Sequence, residues 1–263
     1  PEGAPDITLS IFRREEDSTR KVLYHTHGGG MIVGTRLSGL ASFLECVDRY
    51  GLVLVTVEYR LAPEHPHPAA VEDCYAGLVW TAAHADELGV DADELAIGGT
   101  SAGGGLAAAL ALMARDRGGP ALTGQVLLCP MLDDRNETVS SHQFQGVGVW
   151  DRRSNETGWT ALLGDARGTP DVSPYAAPAR AKDLTGLPPA FIDAGSAEVF
   201  RDEAVDYARR IWAAGGTSEL HVWSGGFHGF DMLAPQASVS VEARRVRAAW
   251  IARALQLSDL SGT

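Results

Sequence analysis

No apolar run in the 263 residues approaches the roughly 18 that a membrane-spanning helix needs, so a spanning segment is excluded. Cysteine is scarce: Cys46, Cys74 and Cys129 are the only three, widely spaced and set among apolar neighbours. An odd, scattered set excludes a disulfide framework and fits buried free thiols in a reducing compartment, read here as cytoplasmic. Positive charge is sparse as well, with 22 Lys and Arg against 34 Asp and Glu for a net charge of −12. The basic residues come only in short pairs such as Arg13-Arg14 and Arg244-Arg245, so a phosphate backbone would be repelled and nucleic acid is excluded as a partner. The chain has no Walker-type phosphate loop, no internal repeat and no low-complexity tract. The first residue is Pro1 rather than Met, which leaves a preceding segment open. What remains, 45% hydrophobic and 21% charged, is ordinary globular composition at a length that suits one domain over 1–263.

Residues 7–12 and 21–27 alternate apolar and polar and read as two early strands, the first at a sheet edge, separated by the charged turn 13–20. Helical spacing of Leu40, Phe43, Leu44 and Val47 predicts a helix over 37–50, closed by Gly51. Residues 52–57 are apolar on both faces, as a central parallel strand should be. A proline-rich loop, 63–68, precedes a helix predicted over 69–88, and the strand 94–98 follows. Further strands are expected at 125–129, 189–194 and 218–223, with helices at about 201–214 and on to about Leu257. This alternation predicts an α/β fold with a mostly parallel central sheet, helices on both faces, and functional loops at the carboxyl ends of the strands. The segment 131–187 is too long for a simple crossover and carries its own helical piece near 154–163. It is read as a lid-like cap insertion after the sixth strand region.

Three loops carry chemistry. The first is Gly99-Thr100-Ser101-Ala102-Gly103, between a strand and an Ala/Leu-rich helix, which matches the G-x-S-x-G nucleophile elbow. Its tight turn brings helix and strand backbones so close that a Cβ at Gly99 or Gly103 would collide, and it lifts the Ser101 hydroxyl above the sheet at a helix N-terminus, where negative charge is favoured. The second, His27-Gly28-Gly29-Gly30, leaves backbone N–H groups unshielded by side chains. With the N–H of Ala102, those of Gly29 and Gly30 form a candidate oxyanion hole, supported by His27 and Gly28. The third, 225–230, places His228 between glycines after a strand, where it can serve as general base to Ser101.

Other signals read as structural. The i, i+2 pairs His25/His27 and His65/His67 lack a nearby third ligand, so no metal is expected. Gly103-Gly104-Gly105 with Ala108 matches G-x-G-x-x-A only formally, because Ser101-Ala102 occupies the loop where a dinucleotide motif needs its glycines. Trp212 and Trp223 read as core, while Trp150 and Trp159, inside the insertion, are candidates for lining a pocket.

Taken together, 27–30, 58–66 (Glu-Tyr-Arg-Leu-Ala-Pro-Glu-His-Pro), 99–103, Arg201-Asp202-Glu203 and 227–230 (Phe-His-Gly-Phe) resemble the hormone-sensitive-lipase-like family of carboxylesterases over nearly the whole chain. Residues 171–189 resemble its branch of bacterial acetyl esterases and heroin esterase. The resemblance implies an α/β-hydrolase fold, a Ser/acid/His triad, no cofactor, and a small-molecule ester substrate with a short acyl group hydrolysed through an acyl-enzyme. A homodimer is left open. Two positions depart from the family pattern: Thr100 stands where many relatives have Asp, and Glu198 falls where the acid is usually Asp. Asp193, Glu198 and Asp202 compete for the acid's role. Asp193 lies inside a strand, and Asp202 and Glu203 open a helix, where a carboxylate complements the dipole and caps N–H groups. Glu198 lies on the loop beyond the strand and is the assigned acid, with geometry needed to decide it against Asp193. Relatives carry helical cap residues ahead of the first strand, so either the protein is longer or the insertion alone covers the pocket. The rival readings are an amidase or peptidase of the same fold, and a non-catalytic ligand-binding receptor, which would be expected to lack a triad member.

Overall fold

The computed structural model of the protein describes residues 5–260. Seven strands form one sheet in the order β1-β3-β2-β4-β5-β6-β7. They are β1 Thr8–Phe12, β2 Val22–Thr26, β3 Val53–Glu58, β4 Leu95–Thr100, β5 Gly124–Leu128, β6 Ala190–Ala197 and β7 Ser218–Phe227. Only β1 runs antiparallel, against β3 at the edge (Thr8 opposite Glu58), and every other neighbouring pair is parallel.

Side-chain alternation along the strands sorts the core into two layers. Val22 and Tyr24 face one way, toward α2 (Ala69–Ala83), α4 (Ala102–Arg117) and α7 (Arg201–Ala213). Leu23 and Leu54 face the other, toward α1 (Ala41–Tyr50) and α9 (Ser238–Ala254). Helix α4 is buried on all sides from Ala102 to Ala114, which explains its composition. Gly103 and Gly105 let its first turn lie against β2 and the loop after β5: a Cβ at Gly103 would strike the Thr26 carbonyl, and one at Gly105 the Met131 carbonyl.

Boundaries differ from the sequence reading where backbone geometry overrides periodicity. Helix α1 starts at Ala41 rather than near residue 37, because Gly39 sits at φ 74° and interrupts the helical path. The helix expected over 69–88 is divided at His84, whose ring Nδ1 pairs with the Trp80 carbonyl, leaving α3 (Ala85–Leu88) as a separate turn closed by Gly89 in the left-handed region.

The insertion 131–187 follows β5, the fifth strand rather than a sixth. The edge strand β1 pairs directly with β3, and no further strand lies before β5 among the described residues. It contains α5 (Val139–Gln143), α6 (Arg152–Leu163) and two short 3₁₀ turns. It is tied to itself by Arg180 with Asp134, 2.7 Å, and by Asn155 with Asn136, 3.0 Å. The remaining short helix, α8 (Phe230–Leu233), follows β7. Among the described residues no helix is long and apolar enough to cross a membrane.

Candidate active site

Ser101 lies between β4 and α4, at the N-cap of α4, with φ 61° and ψ −121°, a conformation that costs a non-glycine residue about 1–3 kcal/mol. Its neighbours hold it there: Ser101 N donates to the Leu128 carbonyl at 2.7 Å, and Met131 N and Gly105 N both donate to the Ser101 carbonyl at 3.0 Å. The elbow glycines are sterically required. A Cβ at Gly99 would meet the Gly103 backbone, and one at Gly103 would meet the Thr26 and His27 carbonyls. Thr26 Oγ1 also donates to the Gly103 carbonyl at 2.7 Å, locking the helix start to β2.

His228 sits on the turn between β7 and α8, and Gly229, at φ 73°, allows the reversal. Its Nε2 lies 3.0 Å from Ser101 Oγ and its Nδ1 2.7 Å from Glu198 Oε2. A carboxylate only accepts, so the Glu198 contact assigns the proton to Nδ1 and leaves Nε2 free to accept from the serine hydroxyl. The other Glu198 oxygen accepts from Gly195 N at 2.5 Å, so both oxygens are fixed and the residue is 2% exposed. The Phe200 ring meets the imidazole edge-on at 5.2 Å.

On the opposite side of Ser101, Gly29, Gly30 and Met31 take φ of 119°, 62° and 63°, which turns the loop back on itself. The N–H groups of Gly29, Gly30 and Ala102 donate to no protein acceptor among the described residues, while the Gly29 carbonyl is taken by Ile32 N and Val33 N. His27 braces the loop: its ring stacks on Tyr59 at 4.0 Å, its Nδ1 lies 2.7 Å from the Gly28 carbonyl, and Tyr59 donates to the His27 carbonyl at 2.7 Å. Gly28 packs so close to the elbow that a Cβ there would come within 2.8 Å of the Thr100 carbonyl.

The structure brings Ser101, His228 and Glu198 together and leaves the competing carboxylates elsewhere. Asp193 is bound by Arg247 and by Trp223 Nε1, each at 3.2 Å. Asp202 does not cap its own helix: it accepts from Ser140 N at 2.7 Å and so caps α5, while Phe200 occupies the N-cap of α7. Glu203 points inward to accept from Leu132 N at 3.1 Å, and burial pushes its carboxyl well above the usual range. Of the tryptophans in the insertion, Trp150 lies against Gly30, where a Cβ would strike its indole, and Trp159 is fully buried core.

Among the described residues, one group of three potential metal ligands lies within mutual reach, Cys129, Glu198 and His228, with ligand atoms within 4.8 Å. Burial and the nearby Glu198 charge push the Cys129 thiol well above its ordinary value. The histidine pairs are not part of that group. His25 is enclosed, with Nδ1 3.1 Å from Thr56 Oγ1, and burial lowers its pKa from 6.5 to about 3. Below 6.5 the unfolded chain therefore takes up a proton that the folded chain refuses. Stability is unaffected by this group above that pH and is lost as pH falls toward 3, by up to about 1.4 kcal/mol per pH unit. Urea unfolding followed from about pH 7 to 4 should give a shallower pH slope for His25→Asn than for the parent, and equal slopes would place the acid sensitivity elsewhere.

A protein family described as having the alpha/beta hydrolase fold matches residues 23–232. Carboxylic ester hydrolase LipN of Mycobacterium tuberculosis is 36% identical over 236 residues, 88% of this chain and 62% of that protein. This chain thus spans under two thirds of LipN. Carboxylesterase NlhH of the same species is 33% identical over 262 residues, covering 97% and 80%. Among solved structures, bacterial heroin esterase superposes with a TM-score of 0.93 at 42% identity, over 96% of this chain and 81% of that one. Esterase LipW from Mycobacterium marinum does so at 0.87 and 37%, over 94% and 77%. With the elbow, the glycine loop and the mostly parallel sheet, these likenesses establish that the chain belongs to the α/β-hydrolase fold family, in the hormone-sensitive-lipase-like branch.

Proposed function

We propose that this protein is a serine carboxylesterase acting on small esters with short acyl chains. The observation that carries the reading is the continuous hydrogen-bond chain from Ser101 Oγ through His228 to Glu198, at 3.0 and 2.7 Å, beside three undonated backbone N–H groups. In this mechanism Ser101 Oγ attacks the ester carbonyl carbon as its proton passes to His228 Nε2. The carbonyl oxygen becomes an oxyanion, and the N–H groups of Gly29, Gly30 and Ala102 stabilise it, each donor worth roughly 10²–10³ in kcat. Glu198 balances the imidazolium. The intermediate collapses as His228 returns the proton to the departing alcohol, leaving the acyl group on Ser101. Water, deprotonated by the same histidine, then releases the acid and restores the serine.

The named esterase relatives support ester over amide chemistry. The three buried, unpaired cysteines are consistent with a reducing compartment, and the cytoplasm is the proposed location. The insertion 131–187 serves as the lid, with the Trp150 indole packed against the glycine loop at Gly30.

A panel of p-nitrophenyl esters of graded length, run beside a p-nitroanilide, tests this reading. kcat/KM should peak for acyl chains of about two to eight carbons, since each methylene that fits adds roughly 0.8 kcal/mol and one that does not adds nothing. Faster turnover of a long-chain triglyceride than of a butyrate ester would contradict the size assignment, and preference for the anilide would turn the reading to an amidase.

A further inference from the structure

Arg247 lies on α9, 3% exposed, and reaches two carboxylates from one nitrogen: Nη2 is 3.2 Å from Asp193 Oδ2 and 2.9 Å from Asp231 Oδ2. The two acids sit on different elements. Asp193 is in β6, five residues before Glu198, and Asp231 is in α8, three residues after His228. Nearby contacts pull the same way, because Ser240 Oγ donates to the Phe230 carbonyl at 3.3 Å and Arg244 Nη1 to the Asp231 carbonyl at 3.2 Å. A cavity of only about 10 Å³ separates this cluster from the back of Glu198, lined in part by Cys129, Asp193, Glu198, Asp231 and Arg247.

Burying Arg247 and Asp193, with Asp231 partly buried beside them, is a costly way to pack. Removing water from each ion takes several kcal/mol, and apolar residues of similar volume generally serve stability as well or better. A cluster retained at that cost has its use in geometry, and this one spans the two segments whose separation sets the His228–Glu198 contact. Burial drives the Asp193 carboxyl up while the Arg247 guanidinium opposes it.

We propose that Arg247 is a positioning residue for the Ser101–His228–Glu198 chain, gripping Asp193 and Asp231 so that the Glu198 and His228 loops keep a fixed spacing. The inference rests on the reading of His228 as base and Glu198 as its acid. Two variants test it, Arg247→Met and the charge-neutral Asp193→Asn/Asp231→Asn/Arg247→Met, each assayed for kcat, KM, thermal midpoint and the downfield proton resonance of the His228 Nδ1–H bonded to Glu198. Arg247→Met leaves buried Asp193 and partly buried Asp231 without their cation and lowers the midpoint, and the charge-neutral variant recovers most of that loss. In both, kcat falls about ten- to a hundredfold while KM changes little, as expected when reacting groups drift by a fraction of an ångström, and the resonance broadens or disappears. If Arg247→Met does not fold, the charge-neutral variant supplies the same readings. A folded charge-neutral variant with parental kcat and an undiminished resonance would overturn the proposal, since stability would then be the cluster's whole role. A parent that hydrolyses no ester would instead defeat the functional reading, and the resonance would still report whether Arg247 positions the histidine.

Discussion

Ser101→Ala should fold as the parent does and lose ester turnover by on the order of 10⁴–10⁶-fold, with kcat carrying the loss. The hydroxyl bonds to His228, so removing it leaves the elbow intact. The backbone bonds to Leu128, Met131 and Gly105 hold the strained turn, and alanine adds no bulk. The residue is 6% exposed, so no large solvated group is withdrawn from the surface either. Ser140 and Ser141 are buried, with their hydroxyls committed to backbone carbonyls of Val199, Asn136 and Thr138. Circular dichroism and thermal melting establish folding, and p-nitrophenyl butyrate turnover gives the loss. Activity within tenfold of the parent would remove the covalent mechanism altogether.

Glu198→Gln should lower kcat by about 10³–10⁴ with the fold retained, for a reason that lies in both carboxylate oxygens. One accepts from Gly195 N–H and the other from His228 Nδ1–H, so the site presents two donors. A glutamine has one acceptor and one donor end. Satisfying the buried Gly195 N–H turns its NH₂ toward Nδ1, which forces the proton onto Nε2 and leaves the imidazole unable to accept from Ser101. Satisfying Nδ1–H instead buries an N–H against an N–H, at about 1–3 kcal/mol. Either arrangement also loses the negative charge that balances the imidazolium. Glu198→Asp keeps the charge but withdraws it by one methylene and should be partly active. Asp193→Asn touches neither His228 nor Ser101, and its amide oxygen still offers Arg247 an acceptor, so turnover should stay within about tenfold of the parent. Loss of turnover in Asp193→Asn with near-parental Glu198→Gln would reverse the assignment.

How much of this could be read without coordinates followed from sequence locality. The elbow, the glycine loop and the histidine turn are each a few consecutive residues whose small side chains answer a local steric demand, and such demands leave a mark in sequence. Glu198 was harder, because a lone acid on a loop carries no mark beyond its distance from His228, and Asp193 and Asp202 stood close by. Position relative to the strand end favoured Glu198, and the contacts of Asp193 and Asp202 lie elsewhere in the structure. The Asp193–Arg247–Asp231 cluster was not legible, since its members meet from β6, α8 and α9 across separations up to 54 residues. Its one available sign was an arginine on the face of α9 that also buries Ala243, Trp250 and Ile251. The burial of Trp159 and the position of Trp150 over Gly30 depend likewise on how the insertion folds onto the sheet, which periodicity does not encode.

The central claim is that Ser101 becomes covalently acylated, and one measurement addresses it without a choice of substrate. The protein is treated with a fluorophosphonate, digested, and its peptides mapped by mass spectrometry. A single adduct on the peptide containing Ser101, absent from Ser101→Ala and slowed in Glu198→Gln, is the expected result. An ester-hydrolysing protein that carries no adduct, or carries it on another residue, would contradict the account.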